Sequence, residues 1–197
     1  MPAKKIVNAI GRPRSEKARV AILKATMKLL EQTTLQDLTI EAIASESGVS
    51  KATIYRWWPS KASVVIDAFV EHHVVQTPVR RDVSPREALI KHMYALVHQY
   101  AGLPGRIVAQ IIAAGQADAE VLREFRERFW YGRRAALREL FAEGQRIGEF
   151  KRGVDPEFIM DVLYAPIYFR LLWGHMPLDD ALVEGLVANA MPLLDAP

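Results

Sequence analysis

The segment Lys51–Lys61, KATIYRWWPSK, sets two lysines, a threonine, a tyrosine, an arginine and two adjacent tryptophans within one short basic stretch. The chemistry these groups offer is hydrogen-bond donation to a polyanion. Ile54 and Trp58 are four residues apart and share one face of a helix, which the sequence assigns to the core. That leaves Lys51, Ala52, Tyr55 and Arg56 on the opposite, exposed face, a set suited to the major groove of DNA. Ala52 is small enough to let the backbone approach, and its methyl can touch thymine. Lys51 and Arg56 can reach base-edge acceptors, guanine being the commonest target. Thr53 lies nearer the flank, within reach of a base or a phosphate. The backbone N–H groups at the helix starts marked by Thr39 and Ser50 can take phosphate. Two readings of Trp57 stand: its indole N–H donates to a phosphate, or its ring covers the edge of the core.

A helix carrying these groups needs others to hold it. "SEKARVAILKATMKLLEQ" (15–32) has Val20, Leu23, Met27 and Leu30 at helical spacing behind a Ser15 cap. "TIEAIASESG" (39–48) starts at a Thr39 cap, carries Glu41 in its first turn and ends at Gly48. "VSKATIYRWW" (49–58) begins at Ser50 and stops before Pro59. Gly48 permits a positive φ in the "SGVS" turn, and Ala44 keeps the crossing of the two short helices close. "SKASVVIDAFVEHHVV" (60–75) is a fourth helix with its apolar residues toward the first three. Ser84, Pro85 and Glu87 form a complete helix-start signal, and Asp155-Pro156 repeats the cap-then-proline pattern. Further helices are expected near 85–101, 104–116, 118–146, 156–173 and 179–193. Gly144 marks an early end or a bend in the longest of them. The fold class is therefore all-α with about nine helices.

"LTIEAIASESGVSKATIYRWWPSKASVV" resembles the DNA-binding segment of the tetracycline-repressor (TetR) family of bacterial transcription regulators. The matching positions are Ala44, Gly48, Val49, Ser50, Thr53, Tyr55, Trp58, Ser60 and Lys61. Trp57 stands where many members have histidine, and "TTLQDLT" lacks the glycine that often follows the first helix. The resemblance implies a homodimer that binds a palindromic operator, mostly as a repressor, and leaves it when a small molecule fills the C-terminal domain. It implies that Tyr55, Lys61 and Thr39 hold phosphates while Lys51, Ala52 and Thr53 sit at base edges. It divides the chain into a basic arm (1–14), a helix-turn-helix domain (15–60), a linking helix and hinge (61–82) and an effector-binding and dimerisation domain (83–197). A cytoplasmic location follows from the same likeness.

The arm contains Arg12 and Arg14, and Gly11 and Pro13 keep it from continuing as helix. Such arginines suit a narrow minor groove; the other reading is a solvated tail. In the C-terminal half, "EFIMDVLYAPIYFRLLWG" is apolar nearly all round, so the helix is expected to be buried on two sides, one of them a twin subunit. Phe158, Leu163, Ile167, Leu171, Leu182 and Leu186 are the expected interface residues. A cavity for an apolar or aromatic effector is expected among Met93, Tyr94, Val97, His98, Ile111, Phe125, Phe129, Trp130 and Tyr168. Plain core packing is the alternative for each of them.

Charge divides the same way. Residues 1–81 hold 13 Lys and Arg against 7 Asp and Glu, whereas residues 82–197 hold 13 against 16. The basic front is the part that suits a polyanion. The chain has no cysteine, which excludes disulfides and thiolate metal sites. No apolar run is long enough to cross a bilayer, and the N-terminal residues lack the apolar run of a signal peptide. His72 and His73 are adjacent and point apart, and no phosphate loop or HExxH motif occurs. An enzyme, a metal site and a cofactor are therefore not expected. The other class that fits is a helical adaptor without specific DNA binding.

Overall fold

A computed structural model of the chain describes residues 16–195. The expected cap Ser15 and the arm residues Arg12 and Arg14 lie outside the described residues. Within them the fold is all-α. The helices are α1 (Glu16–Leu30), α2 (Ile40–Ser47), α3 (Lys51–Trp57), α4 (Lys61–Gln76), α5 (Pro85–Tyr100), α6 (Leu103–Ala117), α7 (Ala119–Phe125), α8 (Tyr131–Ile147), α9 (Pro156–Trp173) and α10 (Asp180–Asn189). A single 3₁₀ turn, Met191–Leu194, follows α10, and Phe150 and Asp195 pair in an isolated bridge.

The helix starts expected from the sequence are made by side-chain caps. Thr39 Oγ1 accepts from Ala42 N–H at 3.1 Å, Ser50 Oγ from Thr53 N–H at 3.3 Å, Ser84 Oγ from Glu87 N–H at 3.3 Å, and Asp155 Oδ1 from Glu157 N–H at 2.9 Å. Gly48 closes α2 in the left-handed region, φ 67°, with its N–H bonded to the Ala44 carbonyl.

The helix expected over 118–146 is one rod with a fault in it. Between α7 and α8 the segment Arg126–Trp130 is a π-turn, with helical dihedrals on both sides. One extra residue in a turn rotates everything after it relative to everything before, and such turns often occur at functional sites. Gly144 neither ends nor breaks the rod, which runs on to a left-handed cap at Gly148. Gly144 instead leaves room for the Phe150 ring, which occupies the space a Cβ would need. Pro166 likewise sits inside a continuous α9.

α4 is the centre of the molecule. Val64, Val65, Ile66 and Phe69 are all completely buried, although they span more than one face of the helix. This follows from its position, packed on α1 on one side and on α6 and α7 on the other. Polar ties join the two sides. Ser63 donates to Glu124 Oε2 at 2.6 Å, Asp67 accepts from Arg128 at 2.7 Å, and Arg106 donates to the Leu30 carbonyl at 2.8 Å. A displacement at either end of α4 is therefore transmitted through packed side chains rather than absorbed by a loose linker.

Candidate nucleic-acid interface and internal cavity

α3 is short, so its orientation depends on its anchors. Ile54 and Trp58 are buried, at 0% and 1% exposure. The Trp58 indole N–H donates to Asp67 Oδ2 at 2.7 Å, which fixes the end of α3 to α4. With that face fixed inward, Lys51, Ala52, Tyr55 and Arg56 are exposed and Thr53 is half-buried. Lys51 pairs with Glu41 at 2.8 Å, an exposed ion pair whose hydrogen bond holds the Glu41 carboxyl below its usual range. Such a pair is weak, so the ammonium can exchange partners at little cost. Ser50 Oγ and Thr53 Oγ1 share a 3.0 Å hydrogen bond. Lys61 is half-buried and donates to the Gln36 carbonyl at 2.7 Å. Thr39 and Ser50 are exposed at the two helix starts. Trp57 is half-buried, stacked on Trp58 with centroids 5.8 Å apart, and its indole nitrogen is shielded from solvent.

The second site is a cavity of about 40 Å³, partly open to solvent, between α5, α8 and α9. Three stripes at i, i+4, i+8 spacing converge on it: His92, Leu96 and Tyr100 from α5; Phe129, Arg133 and Leu137 from the π-turn and α8; Met160, Tyr164 and Tyr168 from α9. Trp130 and Arg134 complete the wall. Three expected cavity residues, Phe129, Trp130 and Tyr168, do line it. Met93, Val97 and Ile111 do not; they are fully buried core. Tyr94 is half-buried and packs against the core. His98 is exposed and paired with Asp180 of α10. Phe125 packs on Phe69 and Phe129 and lines a separate shallow groove near Leu172. The reason is angular. Met93 and Val97 stand one residue past His92 and Leu96, which rotates them by about 100° around α5.

Arg133 also lines the cavity, a position not among the expected ones. Its signal was visible: an arginine four residues after Phe129 and four before Leu137 must lie on their apolar stripe. Arg133 donates to the Thr77 carbonyl, to Thr77 Oγ1 at 3.1 Å and to His92 Nε2 at 2.7 Å. With Nε2 accepting, His92 carries its proton on Nδ1 and donates to Tyr164 Oη at 2.7 Å. Burial, then the Arg133 charge, holds the His92 imidazole down to about 3, so it is neutral. Burial also draws the Arg133 guanidinium below its usual range. Tyr100 and Tyr168 share a 3.1 Å hydroxyl contact at the other side. Arg134 differs, because Glu157 and Asp161 neutralise it at 2.6 and 2.8 Å.

The expected subunit interface needs the same correction. Leu163, Ile167, Leu182 and Leu186 are buried within the chain itself, where α9 and α10 close the core, and Leu171 is half-buried. Phe158 is exposed as expected, and Phe169, Leu172 and Trp173 extend its apolar face along α9. Trp173 is 74% exposed.

Two short helices crossing at a Gly-Val-Ser turn, the second presenting donors to solvent, stand on an all-helical body with a mainly apolar cavity that holds a few polar groups. This arrangement defines a helix-turn-helix DNA-binding regulator with a ligand-binding domain. Residues 22–68 match the family described as bacterial regulatory proteins, tetR family, and residues 82–190 match the tetracyclin repressor-like C-terminal domain. The chain belongs to the TetR family of transcriptional regulators. It is 36% identical over 180 residues to the HTH-type transcriptional regulator YdeS of Bacillus subtilis, covering 91% of each chain. It is 26% identical to the DNA-binding transcriptional repressor TetR of Mycobacteroides abscessus, covering 93% of this chain and 97% of that one. The crystal structure of the TetR family transcription regulator SCO0332 superposes with a TM-score of 0.80 at 32% identity, over 91% of this chain and 99% of that one. No helix among the described residues is long and apolar enough to cross a membrane.

Proposed function

We propose that the chain is a cytoplasmic homodimeric repressor that holds a palindromic operator through α3 and releases it when a small molecule enters the α5–α8–α9 cavity. The observation that carries this reading is the division of α3: Ile54 and Trp58 fixed in the core, with Lys51, Ala52, Tyr55 and Arg56 turned outward. In this reading Lys51, Ala52, Thr53 and Arg56 meet base edges. Tyr55, Lys61, Thr39 and Ser50 hold phosphates, and Arg12 and Arg14 enter the adjacent minor groove. Trp57 is assigned to the rim of that contact, where its ring, stacked on Trp58, stiffens the end of α3 and its indole N–H meets a phosphate once the helix end seats on the DNA. Residues 15–60 then act as the reading head, 61–82 as the connection and 83–197 as the sensor, working by binding and not by catalysis.

The twin subunit is assigned to the exposed face of α9, Phe158, Phe169, Leu172 and Trp173. An apolar surface of this kind is costly in water and suits a two-fold partner. Ala181, Gly185 and Ala188 of α10 are also exposed and small enough to let a second copy approach closely. Selection of bound duplexes from a random pool, followed by footprinting, tests the reading. The expected site has two inverted half-sites about one helical turn, or a multiple of it, apart. Recovery of single, unpaired half-sites, or of no common sequence, contradicts it.

A further inference from the structure

We infer that the cavity takes an apolar molecule bearing an oxyanion, which Arg133 binds by giving up the Thr77 carbonyl, so that occupancy is read at the C-terminal end of α4. The inference rests on the ligand-sensing role proposed above and names the ligand's chemistry.

Arg133 is the unusual group. It is a half-buried guanidinium whose hydrogen-bond partners, Thr77 and His92, are neutral. Among the described residues no carboxylate pairs with it, whereas its neighbour Arg134 has two. A cation kept in an apolar surround without a counter-charge is costly to hold, and the cost falls when an anion arrives. The rest of the wall fits an amphipathic guest. Leu96, Phe129, Leu137 and Met160 offer apolar surface. Tyr164 accepts from His92, which leaves its own O–H to donate toward the same cavity. A planar carboxylate matches the guanidinium fork with two parallel hydrogen bonds.

The same guanidinium holds α4. Thr77 is the C-cap of that helix, and its hydroxyl contacts His73 Nε2 at 2.9 Å one turn back. Arg133 thus ties the cavity wall to the last turn of the helix that positions α3. A cavity of about 40 Å³ is far below the few hundred Å³ of a typical small-molecule site. A guest must therefore part the walls, and an anion that binds Arg133 in the parted state draws it from Thr77. The ligand then favours the arrangement in which the end of α4 is released, by as much as it prefers that state.

The test uses the full-length protein without DNA and five probes: octanoate, 4-phenylbutyrate, octylphosphonate, and the neutral octanamide and 4-phenylbutyramide. Calorimetric titration should show each acid binding about 10- to 100-fold tighter than its amide, the factor of a charge-assisted hydrogen bond. The phosphonate arm separates a phosphate-type head from a carboxylate. Arg133→Gln, which keeps the donor to Thr77 but removes the charge, should erase the preference, while Arg134→Gln should retain it. Hydrogen exchange of the His73–Thr77 amides should quicken with the acids bound. Amides binding as well as acids, no anion binding at millimolar concentration, a preference that survives Arg133→Gln, or unchanged exchange in the bound state would each overturn the inference. The acid–amide comparison in the unaltered protein decides the matter even if Arg133→Gln fails to fold. Operator binding measured separately without probes reports on the DNA-binding reading alone.

Discussion

Trp58 should be the residue on which the DNA-reading end of the molecule depends most for its stability. It is 1% exposed, it is the largest fully buried side chain, and its N–H reaches Asp67 on α4. Trp58→Ala removes the ring from a fully buried position and leaves a cavity in the core between α3 and α4. Large aromatic truncations of this kind cost about 3–5 kcal/mol. At roughly 3 °C per kcal/mol for a chain of this size, the melting temperature should fall by about 12 °C. Trp58→Phe keeps most of the ring and loses the N–H. Asp67 retains Arg128 at 2.7 Å, so no orphaned carboxylate results, and the loss should be about 1–2 kcal/mol. Far-UV circular dichroism melts at one fixed protomer concentration read both numbers, because the proposed dimerisation would make melting concentration-dependent. A Trp58→Ala protein that melts within about 2 °C of the parent would refute the anchoring role.

Three further expectations follow from the same packing. Gly144→Ala puts a methyl where the Phe150 ring lies, and overpacking should cost about 1–3 kcal/mol in urea unfolding; Gly132→Ala, where nothing stands in the way, serves as its control. The neutral histidines His73 and His92 have imidazoles held down to about 3, burial being the first cause of each. The unfolded chain therefore binds more protons than the folded one between about pH 6.5 and 3, and stability is full above the unfolded value and lost as pH falls. Each histidine should cost about 2 kcal/mol by pH 5. Melts from pH 7 to 5 check it, with His92→Asn expected to flatten the slope. Trp173→Glu places a charge on the exposed α9 face and should convert the proposed dimer to monomer in sedimentation velocity without altering the monomer's helical content; an unchanged dimer would exclude that face.

Helix existence was legible in the sequence because most of the helices carry a local start signal. Thr39, Ser50, Ser84 and Asp155 cap where cap residues were expected, and Gly48 takes the left-handed turn. The inward face of α3 was legible too, since Ile54 and Trp58 are four apart. What the sequence did not disclose is rotation about a helix axis where both faces are apolar. α9 is apolar nearly all round, so periodicity could not tell Leu163 and Ile167, which face the chain's own core, from Phe169 and Trp173, which face out. The cavity stripe on α5 was missed by one residue for the same reason. Nothing local marks His92 as a cavity residue, because its partners Arg133 and Tyr164 come from α8 and α9. The π-turn at Arg126–Trp130 has no glycine or proline to mark it, yet it sets the angle at which Phe129 and Arg133 meet the cavity.

The central claim is that α3 reads DNA, and the most direct measurement is fluorescence anisotropy of the full chain on its selected operator and on a scrambled duplex across a salt series. Log Kd should rise linearly with log salt on both duplexes. The operator should be preferred by at least about a thousandfold. Tyr55→Phe, which removes one phosphate donor, should weaken both duplexes by a similar factor of about five. Affinity that ignores salt, equal affinity for the two duplexes, or a Tyr55→Phe loss confined to the operator would contradict it.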